Sequence, residues 1–166
     1  SGLWVLLILY TGLRPGEAAA LQWKDIDFDR NEIHVYKAIE SGTSTIKTPK
    51  TPAGVRDIPM RRDLRQLLWN SRGDPFSLLF PTKKGTIRSP SSVWRLWNSF
   101  SKELDLHMGA EQRDGKIIRH AIAPDLTLYC LRHTFCTDLQ RAGVAINIAK
   151  ELMGHSSITV TVDIYT

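Results

Sequence analysis

Cysteine is scarce in this chain, with only Cys130 and Cys136 among 166 residues. Two cysteines do not make a secreted disulfide framework, so a reduced, intracellular setting is expected. Long apolar runs are missing too. The longest, Leu3 to Tyr10, is far too short to span a bilayer, and a polar turn follows it at once. No membrane partner is expected, and no secretory leader pattern opens the chain. There is no internal repeat, no low-complexity segment and no Asp/Glu cluster suited to a two-metal nuclease site.

What is present is ordinary for a globular protein: 42% apolar and 23% charged residues. A length of 166 residues suffices for one domain with a sizeable core. The net charge of +5 suits a polyanionic partner, although charge alone does not select nucleic acid.

Along the chain, Leu3 to Tyr10 reads as a buried helix stopped by Gly12, and Pro15 opens a second helix running to Trp23. Asp25 to Asp29 and Asn31 read as turns. Glu32 to Ala38 alternates like a strand, with Ile33, Val35 and Lys37 on one side. Thr43 to Thr48 and Val55 to Met60 supply two more strands around the turn-rich Pro49 to Gly54, which predicts a three-stranded antiparallel meander. Helical pattern returns with Leu64, Leu67 and Leu68 on one face, and again over Val93 to Leu104 with Trp94 and Trp97 inward. Gln112 to Ala123 carries little pattern beyond an Asp114-Gly115-Lys116 hairpin turn. Helices are expected over Tyr129 to Arg141, Ile146 to Met153 and Thr159 to Tyr165. The fold class is mainly α with a small antiparallel sheet, an α+β domain over 1–166.

Four separated places carry polar side chains of chemical interest. Arg14 lies at a corner beside the start of the second helix, placed either to hold a phosphate at a helix N-terminus or to pair with Glu17. Lys50 sits at a hairpin tip, where it can donate a proton or simply be solvated; Lys47 competes for any such role. Arg132 adjoins a buried stripe of Leu131, Phe135 and Leu139, so its charge needs an anion. His155 follows the helix-ending Gly154, and Tyr165 comes ten residues later. Zinc is excluded for Cys130, His133 and Cys136, because positions six apart on a helix diverge by roughly 120°. Two arginines, a lysine, a histidine and a tyrosine suffice for phosphodiester transesterification without a metal or other cofactor. Guanidinium forks stabilise charge on non-bridging oxygens, lysine protonates a leaving alkoxide, and a tyrosine oxygen forms the covalent link.

The strings Thr11-Gly12-Leu13-Arg14-Pro15-Gly16-Glu17, Leu131-Arg132-His133-Thr134, Leu152-Met153-Gly154-His155 and Ile164-Tyr165 resemble, in order and spacing, the conserved boxes of tyrosine recombinases. The likeness extends over nearly the whole chain and is greatest to integrases of phages and of conjugative transposons of Gram-positive bacteria. The resemblance implies that Arg14 and Arg132 clamp the scissile phosphate, that Lys50 is the general acid toward the leaving 5′ oxygen, and that His155 hydrogen-bonds the phosphate. It implies Tyr165 as the nucleophile forming a 3′-phosphotyrosine link, with Glu17 supporting the framework. Double-stranded DNA carrying attachment sites is the implied substrate, and the implied location is the bacterial cytoplasm, in association with the nucleoid. The implied assembly is a tetramer on DNA in the full-length protein, with this piece alone monomeric, and with accessory DNA-bending proteins as further partners. An N-terminal core-binding domain and a tail beyond the tyrosine, usual in the family, are expected to lie outside 1–166.

One position departs from the pattern. Tyr129 stands three residues before Arg132, where the family usually has histidine. A phenol with an unperturbed pKa near 10 is no base at neutral pH, though it can donate a hydrogen bond. Tyr129 is therefore expected to keep phosphate binding, and deprotonation of Tyr165 to fall to water or another group. A catalytically silent DNA-binding relative and a type IB topoisomerase are the alternatives.

Overall fold

The first helix, α1 (Gly2–Thr11), is apolar on every side, and a helix without a polar face has to be buried. The computed structural model, which describes residues 2–40, 43, 45–49 and 51–165 apart from the side chains of Ile164 and Tyr165, places Trp4, Val5, Leu7 and Ile8 in the core. Gly12 ends the helix at φ +63°, its N–H reaching Ile8 O at 2.8 Å. Helix α2 (Pro15–Ala20) starts on its proline as expected but stops short of Trp23. The reason is local: the Asp25 carboxylate accepts the Gln22 N–H at 2.8 Å and starts a separate 3₁₀ turn over Trp23–Asp25.

The expected meander is replaced by two smaller pairings. Strands β1 (Ile26–Asp27), β2 (Glu32–Val35) and β5 (Arg56–Pro59) form one antiparallel sheet in the order β1-β2-β5, with Ile33 opposite Ile58. Strands β3 (Ala38–Ile39) and β4 (Ile46–Lys47) pair separately as a hairpin. Lys37 does lie on the buried side with Ile33 and Val35, but its ammonium reaches Asp25 and Gln22, each at 2.7 Å. That buried anchor stands where the β2 ladder ends, and the segment expected only to turn supplies the edge strand β1 instead.

Helix α3 (Arg62–Ser71) buries Leu64 and Leu68, one turn apart, while Leu67 falls off that stripe and is 40% exposed. Helix α4 (Pro90–His107) begins before Val93, because the Ser89 hydroxyl accepts the Ser92 N–H at 3.3 Å and Pro90 fits the first helical position. Its buried stripe is Val93 and Trp97; Trp94, expected inward, is rotated away and is 63% exposed. Strands β6 (Glu111–Arg113) and β7 (Lys116–Arg119) close on the expected turn, Asp114 and Gly115 both taking positive φ.

Helix α5 (Leu128–Arg141) packs across α1, and its buried stripe is Leu128, Arg132 and Cys136, not Leu131, Phe135 and Leu139, which are half-buried. Arg132 thus lies in the buried seam itself. Gly12 sits where this helix crosses: a Cβ there would run into the Phe135 ring. Helix α6 (Ile146–Met153) has the expected bounds, and α7 (Ile158–Tyr165) packs on α5 and α6. The α+β class holds, helices around small antiparallel sheets. Among the described residues no helix is long and apolar enough to cross a membrane.

Candidate active site

The last carbonyls of a helix have no partner within it and form the negative end of its dipole, so cations gather there. At the end of α6 three consecutive carbonyls each accept from a different arginine. Arg56 Nε donates to Leu152 O at 2.7 Å, Arg132 Nη2 to Met153 O, and Arg14 Nη2 to Gly154 O at 2.9 Å. Arg132 also donates through Nη1 to Gly12 O, which ties the seam of α5 to the corner after α1. Gly154 takes φ +64°, and a Cβ on it would lie 2.7 Å from Arg56 Nη1. Glycine is needed there for the turn and for the close approach alike.

The carboxylate at this site is Glu17. Its Oε1 accepts from Arg14 Nη1 at 2.9 Å and Arg56 Nη1 at 3.0 Å; its Oε2 accepts from Arg56 Nη2 at 2.9 Å and from the Arg14 backbone N–H at 2.8 Å. Burial pushes this carboxyl upward, but the Arg56 hydrogen bonds and charge, with those of Arg14, outweigh it and leave the pKa below the ordinary value. Glu17 also faces the start of α2, so the helix end expected to receive a phosphate already meets an anion. Of the two expectations for Arg14, the pairing with Glu17 is the one seen, and its side chain remains 38% exposed.

Two guanidiniums therefore hold one carboxylate, and the third, Arg132, lies near enough to feel its charge. Burial, followed by the neighbouring Arg14 charge, pulls Arg132 down to about 10, still protonated at neutral pH. His155, buried beside the same group, is pulled down to about 4 by burial and then by Arg132, Arg14 and Arg56. It is neutral at pH 7. Its Nδ1 lies 2.9 Å from the hydroxyl of Thr161, a fully buried residue of α7.

Tyr129 stands in the first turn of α5, 56% exposed, and lines a cavity of about 370 Å³ together with Arg14, Glu17, Arg88 and Trp94. The structure thus brings Arg14, Arg132 and His155 together and places Tyr129 at the groove beside Arg14. Lys50 lies outside the described residues, and Tyr165 is described only as the last residue of α7, without its side chain. Lys47 pairs with Glu40 at 2.7 Å on the surface.

Sequence reasoning missed Arg56 and Thr161. The signal for Arg56 was legible: alternation along β5 puts it on the same face as buried Ile58, opposite Val35, and an inward charge needs a partner. Thr161 gave no such sign, since its burial depends on how α7 folds back.

Residues 2–166 match the Phage integrase family. The chain is 30% identical over 172 residues to a XerC-like tyrosine recombinase of Caldanaerobacter subterraneus, covering 97% of this chain and 44% of that protein. It is 32% identical over 162 residues to the ICEBs1 integrase of Bacillus subtilis, covering 93% and 41%. A solved structure of the Tn1549 transposon integrase in complex with transposon right end DNA superposes with a TM-score of 0.78 at 30% identity, over 98% of this chain and 52% of that one. The chain thus spans less than half the length of these two curated relatives. Matched across nearly all of its own length, it belongs to the Phage integrase family.

Proposed function

We propose that this chain is the catalytic domain of a site-specific DNA recombinase, which cuts and rejoins strands by metal-free transesterification. The observation that carries the reading is the set of three arginines fixed on successive carbonyls of α6 around one carboxylate, beside a neutral histidine. Arg14 and Arg132 supply guanidinium forks for the non-bridging oxygens of a phosphodiester. Nδ1 of His155 lies against the Thr161 hydroxyl; we assign the hydroxyl as donor, which puts the imidazole proton on Nε2 to donate to the phosphate. Tyr129 donates a second hydrogen bond from the groove beside Arg14.

In the cleavage step the Tyr165 oxygen bonds to phosphorus as the bond to the 5′ oxygen breaks. The phenolic proton passes to water or another group, and Lys50 protonates the departing oxygen. Attack by a 5′ hydroxyl of a second duplex reverses the step and joins new strands. The tyrosine recombinase and integrase relatives, and the DNA held by the Tn1549 integrase, support double-stranded DNA as substrate. In the full-length protein a core-binding domain and a tail complete the grip on DNA, and four protomers assemble on paired sites with DNA-bending helpers in the bacterial cytoplasm.

The test is a nicked attachment-site duplex, from which the short 5′-hydroxyl strand escapes after cleavage and traps the adduct. A 3′-linked covalent complex is expected from the parent, none from Tyr165→Phe, and about 10²- to 10³-fold less from Arg132→Ala. An unchanged adduct with Tyr165→Phe would sink the nucleophile assignment. Supercoil relaxation without joining of two different duplexes would identify a topoisomerase, and DNA binding without any adduct a silent relative.

A further inference from the structure

We propose that Arg56 is a positioning residue for strand cleavage: it fixes Glu17 and the end of α6, and through them holds Arg14 in the orientation that grips the phosphate. This rests on the phosphate-clamp reading above and adds a residue that lies outside the motif strings.

Arg56 is not itself a third clamp. Its side chain is 6% exposed, and all three of its nitrogens are already engaged, Nε by Leu152 O and the two Nη by Glu17. Its contacts are all internal. Both Nη atoms lie on Glu17, one on each oxygen, at 3.0 and 2.9 Å. Each of those oxygens is also held by Arg14, once by Nη1 and once by the backbone N–H. A carboxylate held by Arg14 alone would turn with it; one forked by a buried guanidinium is a fixed post.

The second link is Nε on Leu152 O at 2.7 Å. The next two carbonyls along the chain anchor Arg132 and Arg14, and His155 follows. One side chain on strand β5 therefore sets the place of the carboxylate that aims Arg14 and of the helix end on which both clamp arginines rest. Lysine could not do this, since a single nitrogen cannot span two carboxylate oxygens and a carbonyl in the fork geometry.

The experiment measures single-turnover adduct formation by the full-length protein on the nicked duplex. Two substrates are used, one normal and one with a methylphosphonate at the scissile position. A mispositioned Arg14 fails to stabilise charge on a non-bridging oxygen, and the methylphosphonate lacks one such charge. Arg56→Ala and Arg56→Lys are each expected to slow cleavage of the normal duplex about 100-fold, the size of effect a displacement of about 1 Å produces. Duplex affinity should stay within about threefold, and the deficit on the methylphosphonate should shrink to under about tenfold, because the remaining charge to stabilise is smaller. Thermal melting of Arg56→Lys, which keeps the charge, shows whether the protein compared is folded. Normal-duplex rates within threefold of the parent, or equal deficits on both substrates, would overturn the proposal. If Arg14→Ala also cleaves at the parental rate, the clamp reading falls with it; if Arg14→Ala is slow while Arg56→Lys is fast, only the role of Arg56 is lost.

Discussion

Three carboxylates are buried among the described residues; Asp25 pairs with Lys37, while Glu17 at 3% and Asp105 at 2% exposure are satisfied in opposite ways. Asp105, in the last turns of α4, accepts the backbone N–H groups of Ala121 and Ile122 at 2.7 and 3.0 Å and meets His120 at 2.5 Å. Burial raises its pKa, but those hydrogen bonds more than offset this and leave it low. Its partners are mostly main chain, so it works as a staple between α4 and the strand leaving the β6–β7 hairpin. Glu17 is instead held by two guanidiniums with a third alongside. The first arrangement balances its charge locally; the second leaves positive charge in excess where the groove opens. Satisfaction by backbone marks structure, and satisfaction by surplus cations marks a place prepared for an anion.

The sharpest way to test that distinction is to remove each carboxylate in turn. Glu17→Ala strands the buried Arg56, and breaking a buried pair from one side costs about 3–5 kcal/mol. Urea unfolding should show a loss of that size, and single-turnover cleavage should disappear within the detection limit. A loss under about 1 kcal/mol would mean that Arg56 finds another acceptor or reaches water, contrary to the buried pairing seen here.

Much of this site was legible in the sequence, and the part that was not has physical reasons. The motif strings singled out Arg14, Arg132 and His155, which the fold brings together, and the caps and period of helix α6 were readable as well; Lys50 and the side chain of Tyr165 lie outside the described residues. The buried seam of α5 was misplaced by one residue because Leu131, Phe135 and Leu139 also repeat every four positions, and hydrophobicity gives no reason to prefer a stripe containing arginine. Only the carbonyls of Gly12 and Met153, which arrive from elsewhere in the chain, make that burial tolerable. The meander failed for a related cause, since the ion pair of Lys37 with Asp25 is non-local and alternation cannot register it. The start of α4 was overlooked although Ser89-Pro90 spells a cap followed by a first helical residue.

A smaller effect comes from pH and centres on the buried histidine of the arginine site. Folded His155 takes up its proton only near pH 4, whereas an unfolded imidazole does so near 6.5. Between those values the unfolded chain binds more protons, so stability is complete above 6.5 and falls as the pH drops toward 4. The loss is on the order of 3 kcal/mol across that window. His34, raised by its hydrogen bond to Asp57, acts in the other direction, and its contribution is lost as pH rises above 6.5. Denaturant titrations at pH 7, 5.5 and 4.5 should therefore show a decline that His155→Gln flattens. An undiminished slope in that variant would show that burial and the arginine charges together do not hold the His155 imidazole neutral.

The smallest effect is expected from the staple. Asp105→Asn keeps one oxygen for the Ala121 and Ile122 N–H groups but loses the charged contact with His120, whose ring is about half exposed. Such a replacement costs about 1–2 kcal/mol, the range for a hydrogen bond to a charged group. Because nothing in this cluster touches the arginines, cleavage of the nicked duplex should stay within about threefold of the parent, as independent sites behave additively. Combining it with Glu17→Gln makes the contrast strict: the stability losses of the two variants should add to within about 0.5 kcal/mol. A loss of cleavage beyond tenfold from Asp105→Asn alone would instead join α4 and the β6–β7 hairpin to the reaction. Glu17 and Asp105 would then be parts of one site, and the division between staple and anion seat would fail.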